Sequence, residues 1–440
     1  MIVHRKRGVL LVAALGTAAA LGCVSAGVGT ASGAVLRPSA SAAVTIDVVS
    51  NFTSDIARGQ VLNKLIQQFN AAHKGTVQVV SQTTADWPLL QAKIRTEIAV
   101  GTPPDVFLYN FNPSDLSLEK YGSAKLINWA PYLQADPSWA ASLTSQAIKT
   151  LTTSGDTAAI PDDQSSTVVY YNKQLFKKVG ITSFPTTWSA FFSDAQKLHA
   201  AGIAPLALFT ADDAWYAMNV LSALAISAGG TNAYYATHLS TAPLVKASTE
   251  LKELFSWAAK DAVGGNYAVG SADFLDGHAA MVIDGPWLIS SIQKSFPNTC
   301  ASIGAAAPPS AGTSSDPAGS LITDALTVWG AAKISNAAEQ SAAVQWMKFY
   351  TSAPSADLMA TQGQFPLIVK IPTTGKAFAS ASCLLREEVA LTNAAPTKVV
   401  NIERYMTPQA QAQLPNLLEE LVLGNATPQK FVSSLQSLNG

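Results

Sequence analysis

The stretch VTIDVVSNFTSDIARGQVLNKLIQQFN, residues 44–70, decides the fold class of this chain. Its first seven residues are mainly β-branched, which favours a buried strand. From Gly59 to Asn70 the apolar residues recur three and four positions apart, which places them on one face of a helix. A strand followed by a helix is the repeating unit of α/β proteins.

The same alternation continues along the chain. Residues 77–81 predict a second strand, and the apolar residues between 90 and 98 predict a helix that ends at Gly101. Further strands are predicted at 105–109, 279–284 and 326–329, and further helices at 188–198, 215–228 and 244–259. This alternation predicts mostly parallel sheets with helices on their faces.

The chain of 440 residues is too long for one hydrophobic core. Without its first 43 residues it still has about 395, and single cores stop growing at roughly 250–300 residues, so we expect two lobes. Pro161 to Gln164 interrupts two strand-like runs and is interpreted as a crossover between the lobes. Residues 306–319 form a Pro-, Ser- and Gly-rich connector, after which the chain is free to return to the first lobe.

The N-terminal residues have the pattern of an export signal. A basic patch from His4 to Arg7 precedes an apolar run from Val9 to Leu21, which is typical of a secretory signal over residues 1–22 and too short to be a membrane span. Cys23 then stands where a bacterial lipoprotein is acylated, followed by an Ala/Ser/Gly-rich tether over residues 23–43. We therefore predict an exported protein, lipid-anchored at the outer face of the cell membrane. The alternative is cleavage near Ser41, which would discard Cys23.

Charge and motifs exclude several classes of protein. The net charge is −1 and 13% of residues are charged, so nothing indicates binding to nucleic acid or to an anionic membrane; the only expected membrane contact is the lipid anchor. No nucleophile elbow, HExxH helix, phosphate-binding loop or Cys/His cluster is present in the sequence. We therefore expect no enzymatic activity, no cofactor and no metal.

Two cysteines remain beyond the tether, Cys300 and Cys383. In an oxidising exterior they can form a disulfide. Two separately buried thiols are the alternative, since the sequence does not supply the Cα separation that a disulfide requires.

Five stretches together resemble the extracellular solute-binding proteins of ABC importers, family 1, the maltose-binding-protein-like carbohydrate group. They are Ile98–Phe107, Trp129–Leu133, Val169–Phe176, Phe184–Trp188 and Asp276–Trp287. The resemblance implies a type II fold of two α/β lobes joined by a multi-segment hinge, with the ligand between the lobes. The predicted lobes are residues 44–164 with 324–362, and residues 165–323 with 363–440.

The resemblance also implies a function. The chain would be a monomer that captures a sugar or oligosaccharide and delivers it to the permease subunits of an ABC importer. The alternative ligands are ferric iron, a polyamine or a peptide, and an exported enzyme is the last alternative. Tyr234 and Tyr235 are the residues that would favour iron.

A sugar presents hydroxyl groups and an apolar face, so its site should combine aromatic rings with carboxylates and amides. Trp287 ends a predicted strand in a tight turn, where relatives stack a Trp on sugar; the alternative is a core Trp, with Asp284 supporting the turn. Trp215 resembles the aromatic position of the second lobe, preceded by Asp212 and Asp213 as ligand or N-cap residues.

The other candidates come mainly from their positions. Tyr109, Asn110 and Asn51 follow predicted strands at the edge where parallel sheets bind ligands, although a core position is the alternative for Tyr109. Trp87 starts a helix on the same side. The remaining candidates are Asp162, Asp163 and Gln164 in the crossover, where a hinge-stabilising role is the alternative, and Gln364 and Phe365 in a return segment.

Overall fold

A five-stranded and a six-stranded sheet organise the part of the chain that the computed structural model describes. The described residues are 43–111, 116, 125–163, 165–212, 214–234, 239, 241–323, 326–334, 336–367 and 376–439. The predicted signal, the tether apart from its last residue, Cys23, Gln164, Asp213 and Tyr235 lie outside them.

The strands alternate with helices along most of the chain, as predicted. The strands are β1 Val44–Ser50, β2 Val77–Thr83, β3 Val106–Asn110, β4 Thr152–Thr153, β5 Asp156–Thr157, β6 Ile160–Asp163, β7 Ser166–Asn172, β8 Ala204–Leu206, β9 Ala279–Asp284, β10 Ile303–Ala306, β11 Leu321–Thr323, β12 Thr327–Ala331 and β13 Lys398–Val400. The helices are α1 Ala57–Ala72, α2 Trp87–Val100, α3 Ala130–Ala135, α4 Pro137–Ser142, α5 Ser145–Thr150, α6 Lys173–Lys178, α7 Trp188–Ala200, α8 Trp215–Gly229, α9 Thr241–Ser256, α10 Tyr267–Leu275, α11 Ile289–Ser295, α12 Thr299–Ser302, α13 Ala337–Tyr350, α14 Ala353–Thr361, α15 Lys376–Ala379, α16 Cys383–Ala394, α17 Pro408–Val422 and α18 Pro428–Asn439.

The first sheet has the strand order β2-β1-β3-β12-β6, and the second has the order β13-β11-β7-β9-β8, with β10 also paired to β7. The predicted two-lobe α/β class is confirmed, but the expectation of mostly parallel sheets is wrong. β1 runs parallel to β2 and β3, whereas β12 is antiparallel to both of its neighbours. In the second sheet β7 is antiparallel to β9, β10 and β11. Both β7 and β12 enter their sheets directly from the other sheet, without the helical crossover that keeps neighbouring strands parallel.

The chain passes between the sheets from β6 to β7 and from β11 to β12. The first passage lies at residues 163–166, slightly later than predicted, because Pro161 is part of β6 instead of a break. β6 is the edge strand of its sheet. An edge strand tolerates a proline because its outer side needs no ladder hydrogen bond.

Each sheet carries apolar clusters on its faces, and we name two of them. The α1 cluster includes Val106, Leu108 and Trp329 of the first sheet together with residues of α1 and α13. The α16 cluster includes Tyr170 and Val282 of the second sheet together with residues of α16. Phe365 and Leu367, which lie beyond the predicted lobe boundary at residue 362, pack in the α1 cluster.

Cys300 and Cys383 form a disulfide, with their Cα atoms 6.0 Å apart. It joins α12 to the first residue of α16. No helix within the described ranges is long and apolar enough to cross a membrane.

Candidate functional site

Two tryptophans meet at the boundary between the two sheets. Trp287 lies in a 3₁₀ turn, Pro286–Leu288, directly after β9, and Trp215 is the first residue of α8. Their ring centroids are 5.5 Å apart, and both side chains are half-buried. Trp287 packs against the α1 cluster and against the α16 cluster, so it touches the cores of both sheets.

Gly285 lets the indole of Trp287 fold back over the end of β9. A Cβ atom at Gly285 would lie 2.4 Å from the six-membered ring of that indole, closer than Cβ contacts occur in proteins. The Gly-Pro-Trp sequence therefore holds the ring in one orientation. The pairing with Trp215 depends on this turn.

Asp284 lies under this aromatic pair and is fully buried. Its Oδ1 accepts a hydrogen bond from the backbone N–H of Gly285 at 2.7 Å, so it supports the turn. Its Oδ2 accepts hydrogen bonds from the hydroxyls of Tyr216 at 2.5 Å and Tyr267 at 3.4 Å. Burial raises the pKa of Asp284 to about 7, because the charged form loses its hydration there.

The turn before α8 is strained. Asp212 and Ala214 both have a left-handed backbone, with φ of 58° and 54°. The Asp212 carboxylate does not cap α8; it accepts from the backbone N–H of Tyr267 at 3.2 Å. Unusual backbone of this kind often accompanies functional sites. Here it places Trp215 and Tyr267 together, with ring centroids 6.5 Å apart.

Of the crossover residues, Asp162 is tied to the first sheet. It is 1% exposed, and its Oδ1 accepts from Trp329 Nε1 and Tyr350 Oη, both at 2.8 Å. Trp329 lies in β12 and Tyr350 in α13, so both bonds hold Asp162 against the first sheet and the helix packed on it. Its Oδ2 has no hydrogen-bond partner among the described residues. Burial raises the pKa of Asp162 to about 6, despite those two hydrogen bonds. Asp163 is also buried and accepts from Ser165 Oγ at 2.6 Å.

Arg58, which the sequence analysis did not single out, lies close to Asp162. Its guanidinium carbon is 4.3 Å from the ring centroid of Phe52 and 4.5 Å from that of Phe365. Gly59 makes this possible, because a Cβ there would lie 1.9 Å from the backbone oxygen of Thr53. The available sequence signal was a glycine directly after Arg58, in the first turn of α1.

Asn110 and Trp87 meet at the end of β3, together with Arg404 of the second lobe. The Asn110 amide is oriented with its oxygen towards Arg404 and Trp87. In this orientation the oxygen accepts hydrogen bonds from Arg404 Nη2 at 2.9 Å and from Trp87 Nε1 at 3.2 Å. The backbone N–H of Asn110 donates to Gln91 Oε1 at 2.8 Å. The predicted residues Asn110 and Trp87 thus share a hydrogen-bond network with Arg404, which lies next to the second sheet.

The other predicted residues have partners outside the aromatic pair or a polar atom without a partner. Tyr109 is 1% exposed and packs in an apolar cluster with Leu90 and Phe107, so its core alternative describes it better. The Gln364 side chain donates to Thr361 O and accepts from the backbone N–H of Ser382, at the start of α16. Phe365 is 2% exposed, and its ring packs against the guanidinium of Arg58. Asn51 is half-buried, and its Oδ1 has no partner within the described ranges.

A further buried carboxylate, Glu388 on α16, was also missed by the sequence analysis. Its Oε2 accepts from the hydroxyl of Tyr170 at 2.5 Å, and burial raises its pKa well above the ordinary value. The described residues contain no group of three His, Cys, Asp or Glu side chains that could hold a metal ion. Tyr234, one of the two tyrosines considered for iron, is fully buried.

The family model for bacterial extracellular solute-binding proteins matches residues 53–357. The chain belongs to this family. A solute-binding protein of this extracellular family is exported, in agreement with the predicted signal. Three curated relatives from Brucella abortus and Brucella suis are each 23% identical over 256 residues, which covers 54% of this chain and 58% of each relative. The names of these relatives specify no ligand.

Solved structures share the whole fold of this solute-binding protein. A chitin oligosaccharide binding protein superposes with a TM-score of 0.78 at 22% identity, covering 90% of this chain and 98% of that one. A protein from a study of xylan utilization by Caldanaerobius polysaccharolyticus gives 0.77 at 21%, covering 90% and 99%. RafE in complex with raffinose gives 0.69 at 19%, covering 90% and 98%. At these identities the similarity establishes the two-lobe fold of the solute-binding protein.

Proposed function

We propose that this protein captures a sugar or oligosaccharide between its two lobes and delivers it to the permease subunits of an ABC importer, without covalent chemistry. The observation that carries this proposal is the pair Trp215 and Trp287 at the boundary between the sheets. Half-buried aromatic rings beside buried carboxylates suit the apolar face and the hydroxyls of a sugar.

Unsatisfied polar atoms support the same proposal. Asn51 Oδ1, Asp162 Oδ2 and Arg58 Nε are buried and have no hydrogen-bond partner among the described residues. Buried polar atoms in native proteins nearly always have partners, from protein, water or ligand. A polyhydroxyl ligand supplies both donors and acceptors, so it satisfies carboxylate, amide and guanidinium atoms together.

The solved neighbours favour a carbohydrate over the other solutes. One is named for chitin oligosaccharide and another holds raffinose. From the sequence-predicted residues we retain Trp287, Trp215, Asp162, Asp163, Asn110, Trp87 and Asn51 as ligand-binding candidates. The strands of the two sheets support a lobe division at residues 164 and 324, with the return to the second lobe later than residue 367.

A panel of ligands tests this function. We expect at least one of raffinose, N,N′-diacetylchitobiose, xylotriose and maltotriose to bind in calorimetry and to raise the melting temperature. At a ligand concentration of 100 Kd the stabilisation is about 2.7 kcal/mol. Ferric citrate, spermidine and a mixture of oligopeptides are the matched alternatives. Indifference to all four sugars, combined with stabilisation by one of these alternatives, would refute the proposal.

We also propose that Cys23 carries the lipid anchor of the exported protein. The cysteine stands two positions after Leu21, where the apolar run ends, and an Ala/Ser/Gly-rich stretch follows it. In the native host, metabolic labelling with a palmitate analogue is expected to mark the protein, and Cys23→Ser is expected to remove the label and release the protein into the medium. A labelled Cys23→Ser variant would contradict the anchor.

A further inference from the structure

Arg58 is held in an unusual place for a cation. It lies in the first turn of α1, where the positive end of the helix dipole disfavours a positive charge. The rings of Phe52 and Phe365 lie 4.3 and 4.5 Å from its guanidinium carbon and restrict its orientation. Such a placement needs compensation from nearby negative charge.

Asp162 and Asp163 supply that compensation. A continuous set of contacts joins Arg58 to Asp162. Phe52 meets the ring of Trp329 edge-on at 6.1 Å, and Trp329 Nε1 donates to Asp162 Oδ1. Both carboxylates favour the charged form of Arg58, while burial lowers its pKa. The two carboxylates therefore offset the positive charge of the guanidinium.

Arg58 is connected to the aromatic pair through the α1 cluster. Phe52 and Phe365, whose rings hold its guanidinium, belong to this cluster, and Trp287 packs against it. On the side of the second sheet, the hydroxyl of Tyr267 donates to Asp284 at 3.4 Å, and its ring lies 6.5 Å from that of Trp215. Burial raises the pKa of Tyr267 well above its ordinary value, and the charge of Arg58 opposes that shift.

We propose that Arg58 binds the ligand directly, and that Asp162 and Asp163 make this site select a neutral saccharide over an anionic one; the inference rests on the carbohydrate function proposed above. Arg58 Nε–H donates to a hydroxyl oxygen, and Asp162 Oδ2 accepts from a hydroxyl of the same ligand. Each of these atoms lacks a protein partner in the described part of the chain. A carboxylate on the ligand would instead meet two buried negative groups, which disfavour a third.

The test compares the panel sugar that binds with its matched anion. For a sugar with a primary hydroxyl, the anion is the same sugar with that hydroxyl oxidised to give a uronate. For xylotriose, the anion is xylobiose that carries one glucuronic acid. Calorimetry on the wild-type protein is expected to give at least about tenfold tighter binding of the neutral sugar. Arg58→Met is expected to weaken that binding by about 10–100-fold, because a hydrogen bond from a charged donor is lost.

Two further variants separate recognition from folding. Lys64→Met removes an exposed cation on the same helix and is expected to leave both affinities unchanged. Asp163→Asn is expected to improve uronate binding relative to the neutral sugar by at least about threefold, since it removes one repelling charge; a purely structural role would not move this ratio. If Arg58→Met does not fold, Arg58→Lys and Asp163→Asn test the proposal instead. The measurement is again the affinity for the neutral sugar relative to the affinity for the uronate.

The outcomes distinguish this inference from the function on which it rests. Equal or tighter binding of the uronate by the wild-type protein, or unchanged affinities in both Arg58→Met and Asp163→Asn, overturns the role of Arg58 and leaves carbohydrate binding intact. Failure of the wild-type protein to bind any sugar of the panel, neutral or anionic, overturns the proposed function and this inference together.

Discussion

Trp287→Ala is expected to weaken binding of the panel sugar by about 30-fold or more, because truncation of a central aromatic contact costs about 2 kcal/mol or more. The indole contributes its own contact area and also holds Trp215, whose ring centroid is 5.5 Å away. Removing it leaves the second ring without its neighbour. Calorimetric titration with the panel sugar measures the loss directly.

The matched control for this variant is Trp257→Ala. Trp257 is also half-buried, but it packs beside Phe192 and His199, with ring centroids 6.2 and 6.0 Å away, and takes no part in the aromatic pair. It is expected to leave the affinity for sugar unchanged while lowering the melting temperature. Trp287→Phe should retain part of the affinity. Wild-type affinity in Trp287→Ala would remove this residue from the site.

Removing both cysteines is expected to lower the free energy of unfolding by about 2–5 kcal/mol, since the disulfide closes a long loop in the unfolded chain. The double variant is Cys300→Ser with Cys383→Ser, which lie 83 positions apart. The disulfide also fastens the start of α16, the helix that carries Glu388 to the hydroxyl of Tyr170. We therefore expect weaker order in α16 as well as lower stability.

Denaturant unfolding of the wild-type and double-variant proteins measures this loss, and hydrogen exchange reports on α16. Reductant serves as the control: it should destabilise the wild-type protein to the level of the double variant and leave the variant unaffected. Equal stability of oxidised wild type and double variant would contradict the prediction.

The sequence predicted what depends on local pattern. β1 and α1 follow from the spacing of apolar residues over 44–70. The turn after β9 follows from Pro286, which has no N–H to continue the strand's hydrogen bonds. The position of Trp287 beyond that strand was therefore predictable. The helix at Trp215 was predictable for the same reason, since its apolar run is long and ends at two glycines.

Other predictions failed or stayed open because they depend on which face of a strand a residue occupies. Tyr109 and Asn110 both follow a buried run, yet Tyr109 points into a core layer while Asn110 meets Trp87 and Arg404. Adjacent residues of a strand face opposite ways, and only the packed sheet decides which way is inward. The antiparallel direction of β7 and β12 was also not predictable from local sequence. It follows from the tertiary structure, because each of these strands enters its sheet from the other sheet.

The sequence by itself determined the α/β class, the need for two lobes and the aromatic turn at Trp287, since these rest on periodicity, chain length and backbone restriction. Only the tertiary structure decided that Arg58 lies between Phe52 and Phe365, that Glu388 pairs with Tyr170, and that Cys300 pairs with Cys383. These contacts join residues that are up to about 300 positions apart, and nothing local in a chain specifies which distant partners its folding brings together.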